Sequence, residues 1–133
     1  MFHLSLAVER FEACLFFYRS AFDARVVAIA PGVANVFVFG AQVTLHDRAA
    51  SPLTPDARRE MHFGAVVPVE DWLRIRDRLA TGKHDLLRCI APADAPDGRG
   101  KLLLSDPSGN LVEINAEPSR SAPPPVGMSP PAT

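Results

Sequence analysis

The chain holds little that would mark a specialised partner or compartment. Its 133 residues contain no block of like charges, and 14 basic against 15 acidic residues leave a formal net charge of −1. That excludes the electrostatic footprint of a nucleic-acid binder or of a protein drawn to an anionic membrane surface. Long apolar runs are missing as well. The hydrophobic stretches are short and broken by charges, so no segment is suited to span a bilayer. The opening MFHLSLAVER has neither the basic start nor the small-residue cleavage site of a secretory leader, and the expected location is cytoplasmic. Cysteine is scarce: Cys14 falls in a helical pattern and Cys89 in a strand pattern, with no metal-ligand spacing between them. Both are read as buried thiols, and no disulfide is expected in a reducing compartment.

What is present is an ordinary globular balance, 47% apolar and 22% charged, in a length that suits one domain. The stretch EPSRSAPPPVGMSPPAT, residues 117–133, has six prolines and almost no large apolar side chains, so it cannot bury enough surface to offset its ordering entropy. It is expected to be a disordered tail. Residues 1–116 divide into two halves of like plan, 1–47 and 61–116, joined by a proline-rich connector over 48–60. Each half opens on a strand that begins with histidine, FHLSLAV and MHFGAVVPV. A helix follows in each, roughly Glu9 to Phe22 with Asp23 as a left-handed cap, then EDWLRIRDRLATG with Gly82 as its stop. Three strands complete each half: ARVVAIA, VANVFVF and AQVTLH in the first; His84 to Ile90, Arg99 to Ser105 and Leu111 to Asn115 in the second. The expected fold is α+β, two βαβββ modules in which each helix covers one sheet face and the other faces curl around a cavity.

Strand parity then sorts the side chains. Leu4, Leu6, Val43, Leu45, Phe63, Ala65, Val112 and Ile114 belong to the helix-packed core. The alternate set faces the cavity: His3 and Ser5, Gln42, Thr44 and His46, His62 and Gly64, Leu111, Glu113 and Asn115. Four strands thus bring three histidines and a glutamate to one concave surface. Imidazole and carboxylate are ligands that divalent metals accept, and two histidines with one carboxylate leave positions open for water or substrate. Singly, each residue has a plainer reading as a surface or hydrogen-bonded side chain; their joint placement in both halves favours a metal site. Ser5, Gln42, Thr44 and Asn115 are the expected substrate contacts; were the cavity instead to sequester a hydrophobic ligand without turnover, Phe37 and Phe39 would supply its apolar lining.

The segments FHLSLAV, FYRSAFDA, FGAQVTLH, HFGAVVPVEDW and LLLSDPSGNLVEIN resemble the vicinal oxygen chelate superfamily, which includes glyoxalase I, extradiol dioxygenases, fosfomycin-resistance enzymes and bleomycin-binding proteins. The DPSGN turn followed by a glutamate in the last strand is the most specific element. The resemblance implies paired βαβββ modules and a divalent metal, Fe, Mn, Ni or Zn, held by His3, His62 and Glu113. Glyoxalase-like members add a fourth ligand, usually glutamate, from the fourth strand, where this chain offers Thr44 or His46.

The expected activity is metal-dependent chemistry on a small oxygenated substrate captured through neighbouring oxygens, of lyase, isomerase or dioxygenase type. His46 would be a fourth ligand or a general acid/base, since imidazole suits proton transfer near neutrality. Arg99, in DGRG, is a candidate for an anionic substrate, against the plainer reading of a solvated loop arginine. The rival is a non-catalytic module that sequesters an antibiotic or other small molecule, and a purely structural subunit is a third reading. A homodimer is expected with any of them, with the cavity either within one chain or between exchanged modules.

Overall fold

Alternating apolar residues make HLSLAV and HFGAVV half-buried strands, and each starts a module in the computed structural model, which describes residues 1–117. The tail expected from residue 117 lies, from residue 118 onward, outside the described residues. In chain order the elements are β1 (His3–Val8), α1 (Phe11–Phe22), β2 (Arg25–Ala30), β3 (Val33–Val38), β4 (Ala41–Asp47), α2 (Pro55–Glu60), β5 (His62–Val67), α3 (Val69–Thr81), β6 (Arg88–Ile90), β7 (Lys101–Ser105) and β8 (Leu111–Ala116). They form two four-stranded mixed sheets of identical order, β1-β4-β3-β2 and β5-β8-β7-β6. In each, the first strand runs parallel to the last and the remaining pairs are antiparallel.

The parity assignment places the core. Leu6, Val43, Leu45, Val112 and Ile114 are buried, with Leu4, Phe63 and Ala65 packed against them, while His3, Ser5, His62 and Gly64 are exposed. Under sheet one lie Cys14, Leu15, Phe17, Tyr18 and Ala21 of α1; under sheet two lie Trp72 and Leu79 of α3, and the Trp72 indole donates to the Ile114 carbonyl.

The DPSGN turn between β7 and β8 belongs to module two but ties down module one. Asp106 accepts from the Tyr18 hydroxyl of α1 at 2.9 Å, from the Ser108 and Asn110 amides, and from the Asn110 side chain. Ser108 Oγ accepts from the Glu9 and Arg10 amides, holding the entry to a helix that has no capping side chain of its own. Arg58, buried in the connector, donates to the Ala7 carbonyl, the Asn110 side chain and the Glu9 carboxylate. The turn is therefore a structural clasp, which accounts for both DPSGN and the tyrosine of FY.

Several expectations are corrected. The connector contains a helix, α2, with Thr54 as N-cap accepting from the Ala57 amide and proline in its first turn. Asp23 caps α1 in the left-handed conformation, at φ 55°, and α3 stops at Gly82 as expected, with Lys83 (φ 55°) taking the left-handed turn just beyond it. A β-carbon on Gly82 would stand 2.8 Å from the His84 ring, which would have to shift. The strand expected from His84 shrinks to β6, because His84 packs edge-on against Phe17 at 5.6 Å. Cys89 is exposed: β6 is an edge strand that helix α3 does not cover. Cys14 is buried as expected, and burial pushes its thiol up to about 11. Phe39 leaves β3 in a positive-φ turn and packs on Phe22 at 5.0 Å, so it belongs to the core side. No helix among the described residues is long and apolar enough to cross a membrane.

Candidate functional site

Sheet two aligns its open-face side chains in rows. Arg88 pairs with Leu103, Leu103 with Glu113, and Glu113 with Gly64, so these four positions cross the sheet side by side. His62 lies one step along on the same face, opposite Leu111. Glu113 sits on the floor of a cleft of about 510 Å³ with Arg88, Arg99, Lys101 and Asn115 on its walls. The Asn115 amide donates to Glu113 Oε1 at 2.8 Å, and the Lys101 ammonium stands 3.3 Å from the same oxygen. Partial burial raises the Glu113 carboxyl, but the hydrogen bonds from Asn115 and Lys101 and the charges of Lys101 and His62 outweigh it and hold the group below its ordinary value. It is therefore an anion at neutral pH.

Gly64 lets the backbones of β5 and β8 approach beneath this carboxylate, because a β-carbon on it would overlap the Glu113 carbonyl. Gly64→Ala should force the two strands apart. A loss of about 1–3 kcal/mol is expected in urea unfolding, of the size seen for overpacked sites, and an unchanged midpoint would refute it.

Sheet one presents the other candidates. His3 and Gln42 face each other in register, and the Gln42 amide lies 3.1 Å from His3 Nδ1, which leaves Nε2 uncommitted among the described residues. Thr44 is buried and donates to Asn35 at 2.7 Å, so its hydroxyl is already engaged. His46 pairs with Ala7, four residues along the strand pair from His3 and hence about 13 Å away. It lines a different hollow, with Pro31, Gly32, Asp47 and Arg48. Phe37 is half-buried on this face, under the Arg25 guanidinium at 4.0 Å. Ser5 faces a groove between the modules, in company with His62 and Met61.

The arrangement thus brings His62, Glu113 and Asn115 together, and His3 with Gln42, but on separate sheets. Among the described residues no group of three His, Cys, Asp or Glu side chains is gathered in one place. One chain by itself does not fit a resident divalent ion: it offers two donors on one sheet, a third elsewhere, and a lysine already beside the carboxylate. Arg88 and Lys101 are site residues that the sequence reading passed over. The parity rule would have found both, since Lys101 shares its phase with Leu103 and Ser105 along β7.

The family model described as the Glyoxalase/Bleomycin resistance protein/Dioxygenase superfamily matches residues 1–114. No curated protein matches the chain. Among solved structures, a lactoylglutathione lyase from Agrobacterium tumefaciens superposes with a TM-score of 0.65 at 19% identity, covering 87% of this chain and 92% of that one. The fosfomycin resistance protein FosX from Mesorhizobium loti gives 0.62 at 16% identity, with 88% and 91% covered. A mutant FosX from Listeria monocytogenes, solved with Mn(II) and 1S,2S-dihydroxypropylphosphonic acid, gives 0.67 at 13% identity, with 87% and 90% covered. At these identities the likeness shows a shared fold.

Proposed function

Because the chain belongs to the Glyoxalase/Bleomycin resistance protein/Dioxygenase superfamily, we propose that it is a metal-dependent enzyme of lyase, isomerase or dioxygenase type acting on a small oxygenated molecule. The ligands in this reading are His3, His62 and Glu113, and the functional unit is a homodimer in which His3 of a second copy joins His62 and Glu113. The observation that carries it is the split donor set: two donors share one sheet face, and the third stands exposed on the other sheet, its ring oriented by Gln42. A divalent ion held there would polarise a carbonyl or stabilise an enolate or alkoxide on the substrate. The FosX neighbour with Mn(II) and a vicinal diol supports this chemistry for the fold.

The chain's own groups divide the remaining work. Asn115 and Lys101 both hold Oε1 of Glu113, which fixes the carboxylate's orientation and keeps it charged. Gln42 sets the His3 ring. His46, about 13 Å from His3 along β4 and lining a hollow of its own, lies beyond reach of the ion and of a substrate held on it. Titration of chelator-treated protein with Ni, Zn, Mn and Fe(II) tests the reading. One ion per Glu113 site is expected, abolished by His62→Ala and retained by His46→Ala. No uptake of any of the four would overturn it.

A second reading has its own support. Lys101 already neutralises Glu113, as it would in a metal-free module that binds a small molecule without turnover. The same titration separates the two.

A further inference from the structure

The charges lining the module-two cleft are unevenly matched. Glu113 is paired with Lys101, and Asp97 accepts from the Arg99 amide. The guanidiniums of Arg88 and Arg99, by contrast, have no hydrogen-bond or ion-pair partner among the described residues, although both line the cleft.

The backbone of Arg99 is held in place, although its side chain is exposed. Its N–H donates to Asp97 Oδ1 at 3.0 Å and its carbonyl accepts from the Ala116 amide at 2.6 Å. Gly98 and Gly100 on either side hold φ of 69° and 64°, a conformation that side chains resist. A β-carbon on Gly100 would stand 2.9 Å from Pro92 and 3.0 Å from the Ile90 carbonyl, so the turn is packed onto the end of β6. The backbone of Arg99 is thereby fixed at the rim of the cleft, and only its side chain remains to adjust. Arg88 stands in the same row as Glu113, two strands away, a backbone separation of about 10 Å.

We propose that Arg88 and Arg99 form an oxyanion subsite, which takes the carboxylate, phosphate or phosphonate group of a small molecule whose other end lies over Glu113. A guanidinium offers paired donors to two oxygens of such a group, and one held on a fixed backbone loses less freedom on binding. Lys101, committed to Glu113, adds positive field without being consumed. The subsite rests on the reading that this cleft receives the ligand, but it needs neither the metal nor the second copy.

The test is an amide NMR titration of the full-length protein in EDTA, with inorganic phosphate and, separately, acetate, at an ionic strength held constant with chloride. Saturable shifts confined to residues 88–101 and 113–115 are expected, and the stronger of the two anions identifies the favoured group. The Arg88→Ala/Arg99→Ala double variant should bind at least about tenfold more weakly, with each single variant intermediate. Both side chains are exposed, so an unchanged spectrum outside the cleft will report an intact fold. Scattered, unsaturable shifts, or wild-type affinity in the double variant, would overturn the proposal. Because chelator is present throughout, this outcome is independent of whether the metal titration succeeds.

Discussion

Mixing His3→Ala chains with His62→Ala chains is expected to restore divalent-metal binding that neither variant shows alone. If the ion lies between two copies, a mixed dimer has one site built from the intact His3 of one chain and the intact His62 and Glu113 of the other. Random reassortment makes about half the dimers mixed, each with one good site of two, so roughly a quarter of the wild-type capacity should return. Equilibrium dialysis against Zn or Ni after denaturing and refolding the mixture measures it. A mixture of His62→Ala with Glu113→Ala is the control, because both changes strike the same half-site and no recovery is expected. If the His3→Ala and His62→Ala mixture stays as empty as its components, the shared site is wrong. The reason to expect sharing is geometric. His62 and Glu113 are neighbours on sheet two, whereas His3 is turned toward Gln42 on sheet one, and no three donors converge within the described residues of one chain.

Asp106→Ala is expected to be the most damaging single change to the fold. It removes the acceptor for the Tyr18 hydroxyl, the Ser108 and Asn110 amides and the Asn110 side chain, all in a buried setting. Donors stripped of a charged acceptor and shut off from water carry a large penalty, so a loss on the order of 4 kcal/mol is expected. That is a large share of the roughly 5–15 kcal/mol that holds a domain of this size. Tyr18→Phe, which gives up one hydrogen bond and leaves three others in place, should cost only about 1–2 kcal/mol. Burial and the Asp106 charge both push the Tyr18 hydroxyl well above its ordinary value, so it stays a donor across the accessible pH range. Urea unfolding followed through Trp72 separates the two variants, and similar midpoints for both would contradict the clasp.

The strand faces were legible because period-two alternation is enforced wherever a helix covers one side of a sheet. His3, Ser5, His62, Gly64 and Glu113 all come out on the open face for that reason. The rule weakens where the cover ends. On the edge strands, Cys89 follows the core phase, opposite Leu102, yet stays exposed, and Val27 and Ile29 are exposed apolar residues. Parity also says nothing about distance along a strand, which is why His46 could be put on the right face of β4 and still stand about 13 Å from His3. Nor does it say whether two concave faces meet within one molecule. Arg58 was invisible for another reason: a connector arginine normally stays in water, and only the acceptors Ala7, Glu9 and Asn110, distant in the chain, draw it inside.

The clasp also bears on the order in which the protein can be made. Its contacts join Glu9 to Ser108 across 99 residues and Tyr18 to Asp106 across 88. During synthesis, amino end first, α1 therefore emerges long before the turn that secures its entry and satisfies its tyrosine. The first module must wait as an incompletely packed intermediate, with Tyr18 still wet, until almost the whole described chain has left the ribosome. Closing so distant a pair carries a loop-closure entropy that no local helix or hairpin repays. Completion of the fold should thus arrive as a single late event, and neither half of the repeat should persist as an independent unit.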